Sequence, residues 1–202
     1  MKAANAAALI LIGAICGWSQ KVEFGVRGGI PVTGFVEANV PDVSRHTTFD
    51  RALFVVGPTL SMVVHDRFRF SLEAMYKRIR GRSVSVIPPD GATFEFRAAS
   101  WEFPVLFDYS FSKEGLRPFA GGGVIAGHVT KGTTTSNTQP QYQGGFSMGN
   151  QLPAYVANAG VELPTRRFLI RPELRYTRWD RNSGTGIKRN QVEVSIGLSL
   201  PR

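Results

Sequence analysis

The sequence is poor in the residues that carry covalent or metal chemistry. It has one cysteine, Cys16, and three histidines, His46, His65 and His128, in 202 residues. By sequence, His46 falls in a loop, His65 in a turn and His128 near the end of an apolar segment, at spacings that suit neither a metal set nor a nucleophile pair. A lipid hydrolase using His128 with a serine and a glutamate therefore lacks its geometric context. Gly121-Gly122-Gly123 is followed by neither a Lys-Ser/Thr pair nor an amphipathic helix, which excludes a phosphate loop and leaves bending or close strand contact. No catalytic, cofactor-binding or metal residue is assigned, and no cofactor is expected.

Acids are scarce beside bases, 15 against 24, giving a formal charge of +9 and an isoelectric point near 10.2. Such a balance suits nucleic acid, an anionic membrane surface or acidic partners, and the placement of the charges must choose. A mean hydropathy of -0.08 argues against a helical membrane protein. It does not exclude a barrel, whose alternating strands average near zero. With 43% hydrophobic and 19% charged residues the chain lies in the range of a single folded domain.

The longest apolar run, Ala3 to Ile15 with Asn5 as its single polar residue, follows Met1-Lys2 and is too short for a comfortable permanent span. With Gly17 and Ser19 as small residues before a cut at Gln20, it reads as a signal peptide over 1–19, leaving 20–202 as the mature domain. A lipoprotein cut at Cys16 ranks second, because Gly13-Ala14-Ile15 lacks the usual small residue before the cysteine. Cleavage after Ser19 removes the cysteine and with it disulfide and thiol chemistry. Losing Lys2 takes the charge from +9 to +8.

The rest of the chain alternates with a period of two, the signature of extended strands. From Ile170, one parity carries Ile170, Pro172, Leu174 and Tyr176, and the other Arg171, Glu173, Arg175 and Thr177. The same sorting marks Val22 to Val32, Ala52 to Val64, Phe68 to Lys77, Trp101 to Phe111, Leu152 to Leu163 and Gln191 to Leu200. Arg117 to Thr130 has ambiguous parity and is assigned as a strand because its neighbours need one. His65-Asp66-Arg67, Ser112 to Gly115 and Pro164 to Arg167 read as tight turns; the stretches to about Asp50, from Arg78 past Pro89, Thr130 to Asn150 and Asp180 to Asn190 read as long loops. Pro58, Pro104, Pro118, Pro153 and Pro172 fall inside strands and require bulges or strand ends.

Long and short connections alternate, as in a chain that crosses a membrane repeatedly, and aromatics at both ends of Trp101 to Phe111 form a girdle pattern. The expected fold is all-β, an antiparallel up-and-down transmembrane β-barrel of about eight strands. Closure follows because lipid cannot satisfy an open sheet edge. The rival is a secreted lipocalin-type barrel with the apolar parity turned inward around a ligand.

The stretches LEAMYKR (Leu72 to Arg78), WEFPVLFDYSF (Trp101 to Phe111), RPFAGGG (Arg117 to Gly123), RPELRY (Arg171 to Tyr176) and QVEVSIGLSL (Gln191 to Leu200) resemble the bacterial outer-membrane β-barrel domain family, the OmpA-like small barrels. The resemblance covers the mature chain. It implies the fold and an outer-membrane location and says almost nothing about activity, since members are structural, adhesive or pore-forming. The expectation drawn from the residues is a monomer that is not an enzyme, with both termini periplasmic, a structural or surface-interaction role, and the barrel-assembly machinery as a partner during biogenesis. Such barrels usually end on an aromatic residue, and here Leu200 stands in that place.

The inward parity collects Glu23, Glu73, Glu102, Asp108, Glu162, Glu173 and Glu193 with Arg27, Arg69, Lys77, Arg171 and Arg175. Buried charges persist when paired, so a salt-bridged plug is favoured over an ion-conducting pore. Arg78, Arg80, Arg82, Arg178, Arg181, Lys188 and Arg189 lie at long-loop ends. They are either ordinary solvated charges or a belt for outer-membrane lipid, lipopolysaccharide phosphates included. Nucleic acid is rejected as a partner, because export removes the chain from it and no groove or stacking platform appears.

Overall fold

The computed structural model describes residues 20–33, 45–50, 54–85, 93–136, 143–150, 154–180 and 189–200. The signal peptide, its cleavage site and Cys16 lie outside the described residues, as do Pro153, Arg181 and Lys188. Among the described residues the regular structure is entirely β: β1 (Gln20–Pro31), β2 (Arg45–Asp50), β3 (Val55–Val64), β4 (Phe68–Glu73), β5 (Met75–Ser85), β6 (Thr93–Ser110), β7 (Arg117–Ser136), β8 (Gln143–Asn150), β9 (Ala154–Pro164), β10 (Leu169–Trp179) and β11 (Asn190–Leu200).

The pairings are all antiparallel, in the order β6-β4-β3-β1-β11-β10-β9-β7, and β6 pairs with β7 to close the ring. β5 continues β4. β2 pairs with β5 and β8 with β7, extending the staves that β3 and β9 form lower down. The result is a closed barrel of eight staves. Closure leaves no open edge in the ring itself, which lipid would not tolerate; β2 and β8, each paired on one side, belong to the extensions above it.

Prolines account for the irregularities. Pro58 has no N–H to offer β4, so the ladder between Thr59↔Glu73 and Val56↔Tyr76 is interrupted at Ala74, whose N–H still reaches the Pro58 carbonyl at 3.2 Å. At Pro104 the β6–β7 register shifts by one residue, a bulge. Pro172 leaves a gap in the β9–β10 ladder without shifting it. Pro118 sits beside the start of β7, where its carbonyl accepts from Phe111. The hairpin from β3 to β4 turns through His65, Asp66 and Arg67, with positive φ at His65 and Asp66 (53° and 55°), the φ signs of a type I′ turn, and the Arg67 N–H donates to the Val64 carbonyl at 3.4 Å.

The faces divide cleanly. Phe24, Val26, Leu60, Phe70, Leu72, Phe107, Leu174, Ile196 and Leu198 are exposed on the outside, while charged side chains on the other parity are buried. The lipocalin-type alternative requires the reverse orientation and is thereby overturned. An aromatic row on β3 to β6 holds Phe54, Tyr76 and Trp101 in successive ring contacts of 6.4 and 5.2 Å. A second row at the turn end joins Phe68, Tyr109 and Phe111 at 5.2 and 5.4 Å. Ten residues of tilted strand separate Trp101 from Phe111, on the order of 25 Å of height, the thickness of a barrel's apolar band.

The strands run further than the parity indicates. Thr130 to Asn150 is largely paired strand rather than loop, since the end of β7 pairs with β8 from His128↔Asn150 to Thr135↔Gln143. The connection after Arg78 is likewise mostly β5 and β6, paired out to Val84↔Thr93. Above the apolar band the outer face no longer meets hydrocarbon, so the hydrophobic alternation disappears while the backbone ladder continues.

Leu72 lies four residues below Tyr76, so it sits about 10 Å under the aromatic edge, near the middle of the band. Leu72→Arg is expected to destabilise the barrel by about 2–4 kcal/mol in lipid vesicles. Denaturant titration of the folded protein would read this directly, and a loss below ~0.5 kcal/mol would contradict a lipid-facing Leu72.

Candidate functional site

Among the described residues, the buried charges gather in the barrel interior. Glu23, Arg27, Arg69, Glu73, Lys77, Glu102, Asp108, Glu162, Arg171, Glu173, Arg175 and Glu193 are all buried. Alternation puts them there: each lies on the inward parity of its strand, opposite an apolar residue that meets lipid.

They form three tiers. Near the turn end, Arg69 of β4 bridges Glu23 of β1 at 2.6 Å and Glu162 of β9 at 3.1 Å. Glu162 also lies 3.2 Å from Arg171 of β10, whose other nitrogen reaches Asp108 of β6 at 2.7 Å. Asn158 donates to the second Asp108 oxygen at 2.8 Å, and Ser199 donates to Glu23 at 3.2 Å. In the middle tier, Arg27 and Arg175 alternate with Glu73 and Glu173 in a closed square, with N···O distances from 2.6 to 3.0 Å. Arg27 also donates to Ser195 at 3.2 Å. Nearer the long connections, Lys77 lies 2.8 Å from Glu102 and 3.6 Å from Glu193.

Small residues make room for these groups. A Cβ at Gly121 would collide with the Asp108 carboxylate, so the glycine run serves close approach rather than phosphate binding. A Cβ at Gly160 would come within 2.8 Å of the Phe119 ring, and that ring lies 4.1 Å beneath the Arg171 guanidinium as a cation–π platform. Phe119 belongs to the segment of ambiguous parity; only its place two residues before Gly121 links it to the inward face. Trp179 is also buried, and in register Ala154 lies between it and Ile125, so part of the wall toward the long connections is apolar.

The tiers cross the lumen. β10 and β4 are four staves apart in either direction round the ring, yet Arg175 and Glu73 are 2.9 Å apart. Arg171–Asp108 spans three staves, and so does Lys77–Glu193. Beyond the lowest tier a polar cup of about 250 Å³ opens at the turn end, lined by Lys21, Asp66, Arg67 and Arg117 among others. A cleft of about 10 Å³ lies beside Lys77 and Glu193. At the rim Lys21 pairs with Asp66 at 3.1 Å, holding the Asp66 carboxyl below its usual range through that hydrogen bond and charge. Both groups are more than half exposed, so the pair contributes little to stability.

Of the other expected site residues, Arg181 and Lys188 lie outside the described residues. Arg78, Arg80 and Arg178 are exposed and Arg189 is half-buried, while the Arg82 side chain lies outside the description. Arg178 stands on β10, away from the two on β5. Among the described residues no group of His, Cys, Asp and Glu is placed to hold a metal ion.

A closed antiparallel ring with an apolar exterior and an interior filled by cross-braced charges defines a small transmembrane β-barrel. The family model described as outer membrane protein beta-barrel domain matches residues 18–188, and the chain belongs to that family. Similar solved structures include the N-terminal β-barrel domain of Pseudomonas aeruginosa OprF, at 14% identity over 90% of this chain and 97% of that one, with a TM-score of 0.47. Neisserial surface protein A matches at 11% identity over 90% and 96%, TM-score 0.47. Ail of Yersinia pestis matches at 10% over 91% and 97%, TM-score 0.45. At these identities and scores the family match carries the assignment. A comparison with curated proteins returned no match.

Removing one corner of the central square leaves a buried charge without its full complement. Arg175→Met is expected to cost about 3–5 kcal/mol. Arg175→Met/Glu173→Met leaves Arg27 and Glu73 as a balanced pair and should recover more than half of that loss. Denaturant unfolding of the two variants in neutral vesicles measures both, and additive losses would contradict the square as a coupled unit.

Proposed function

We propose that this protein is a structural barrel of the outer membrane whose lumen is closed by its own side chains, and which meets its surroundings through its outer surface and the strands that extend above the membrane. The observation that carries the reading is the Arg175–Glu73 contact across the full diameter of the ring. Side chains that meet in the middle of an eight-stave barrel leave no continuous water path. The chain is exported with a signal peptide cut before Gln20, folds with the barrel-assembly machinery, and works as a monomer with both termini in the periplasm. Catalysis has no part in this reading, which rests on bracing rather than on a reactive group.

A second reading, a narrow cation-selective pore, draws support from the interior charge count of seven acids to five bases. Planar-bilayer recording separates the two. The wild-type protein is expected to stay at the baseline, while Arg27→Ser/Arg175→Ser, which removes both guanidinia of the central square, should open a cation-selective conductance. Steady open currents from the wild type would overturn the closed-lumen reading in favour of the pore.

A further inference from the structure

Four cations project outward from adjacent strands just above the Tyr76–Trp101 aromatic edge. Arg78 and Arg80 of β5, Arg97 of β6 and Lys131 of β7 all have exposed side chains. In register, Ala99 lies between Arg78 and Lys131, and Arg80 stands directly opposite Arg97. With strands about 4.8 Å apart, the four share a patch on the order of 10 Å across.

Like charges directly opposite on neighbouring strands repel and destabilise the pair. Arg80 and Arg97 have no ion-pair partner among the described residues within 4 Å, and the exposed acid nearest in sequence, Glu95, lies opposite Arg82. On the far side, Asp50 is the backbone register partner of Arg80. Even with both acids counted, four bases outnumber two.

Height identifies what would neutralise them. The apolar band ends at the Tyr76–Trp101 row. Arg78 and Lys131 are two residues above that row and Arg80 and Arg97 four, about 5 and 10 Å higher along tilted strands. That is the headgroup layer, where a lipid presents phosphate. Arginine matches a phosphate with two parallel N–H···O bonds, and a dry aromatic floor strengthens each contact. The small Ala99 keeps the centre of the patch open.

We propose that Arg78, Arg80, Arg97 and Lys131 form a binding site for the phosphate groups of outer-leaflet lipid on the β5–β7 wall. This rests on the reading that the barrel spans the outer membrane with its long connections outward. The site is one-sided: Arg178, two staves beyond β7, stands apart from it.

The test uses the full mature chain folded in neutral dodecyl maltoside micelles, with bound lipid counted by native mass spectrometry. The probes are diphosphorylated lipid A, the same glycolipid stripped of phosphate, and free inorganic pyrophosphate. Arg78→Gln/Arg80→Gln/Arg97→Gln/Lys131→Gln is expected to bind the phosphorylated lipid at least tenfold more weakly than wild type, and Arg178→Gln within twofold of it. Retained heat-modifiable gel mobility in the variants shows that folding is intact. Equal affinity in the quadruple variant, equal binding of the dephosphorylated lipid, or full displacement by millimolar pyrophosphate would overturn the proposal. A wild-type chain that never acquires heat-modifiable mobility in micelles or vesicles would overturn the membrane reading and the site together. A chain that inserts but does not discriminate phosphate overturns the site alone.

Discussion

Everything in this fold depends on the fact that lipid offers no hydrogen bonds to a peptide group. A sheet that enters a bilayer must pair every strand on both sides, and the β6–β7 ladder does that by bringing the ends of the order together. The constraint also explains where prolines survive. Pro58 costs one ladder bond, but its carbonyl still receives the Ala74 N–H, and the interruption is limited to one residue between β4 and β5. At Pro104 the ladder breaks opposite a bulge whose extra residue is on β7, and pairing resumes with the register shifted by one.

Closure creates a second problem, because a ring of eight staves encloses a narrow volume that must be filled. Apolar filling would have erased the distinction between inside and outside on which strand orientation depends. Here the volume is filled by long charged side chains in contact across the ring, with Glu162 shared by Arg69 and Arg171, and Glu73 shared by Arg27 and Arg175. Such pairs cost desolvation, and their net stabilisation is modest. Their larger effect is specificity: a one-residue slip of any strand would place these charges in lipid. Gly121 and Gly160 belong to the same solution, since each omits a side chain where Asp108 or Phe119 needs the space.

The lipid-crossing part of the fold is legible in the sequence because its two faces meet different surroundings. Leu174 beside Arg175, or Val194 beside Glu193, reports both orientation and register class. Where the surroundings become alike the signal disappears. Thr133 to Thr135 pairs with Gly145, Gly144 and Gln143 as regular strand, yet nothing in those residues distinguishes strand from polar loop. Arg97 and Lys131 lie in those extensions, so their alignment with Arg80 and Arg78 emerges only from the register. The pairing of particular charges is equally hidden: alternation puts Glu73 and Arg175 on inward faces, but only the stave order makes them opposite one another. Phe119 and Trp179 were obscure for a different reason, since aromatic side chains inside a polar lumen run against the general sorting.

The central claim is that the charged parity faces inward and the apolar parity faces lipid, and the two tryptophans of the barrel stand on opposite faces. Trp101 is 41% exposed on the outer surface, whereas Trp179 is 1% exposed on the inward parity. The most direct measurement is fluorescence quenching by brominated phospholipids in vesicles holding single-tryptophan forms, Trp179→Phe to isolate Trp101 and Trp101→Phe to isolate Trp179, each with residues 1–19 removed. Strong quenching of Trp101 by shallowly placed bromines, with Trp179 almost unaffected, is the expected result. Equal quenching of both, or stronger quenching of Trp179, would contradict the orientation on which the whole account stands.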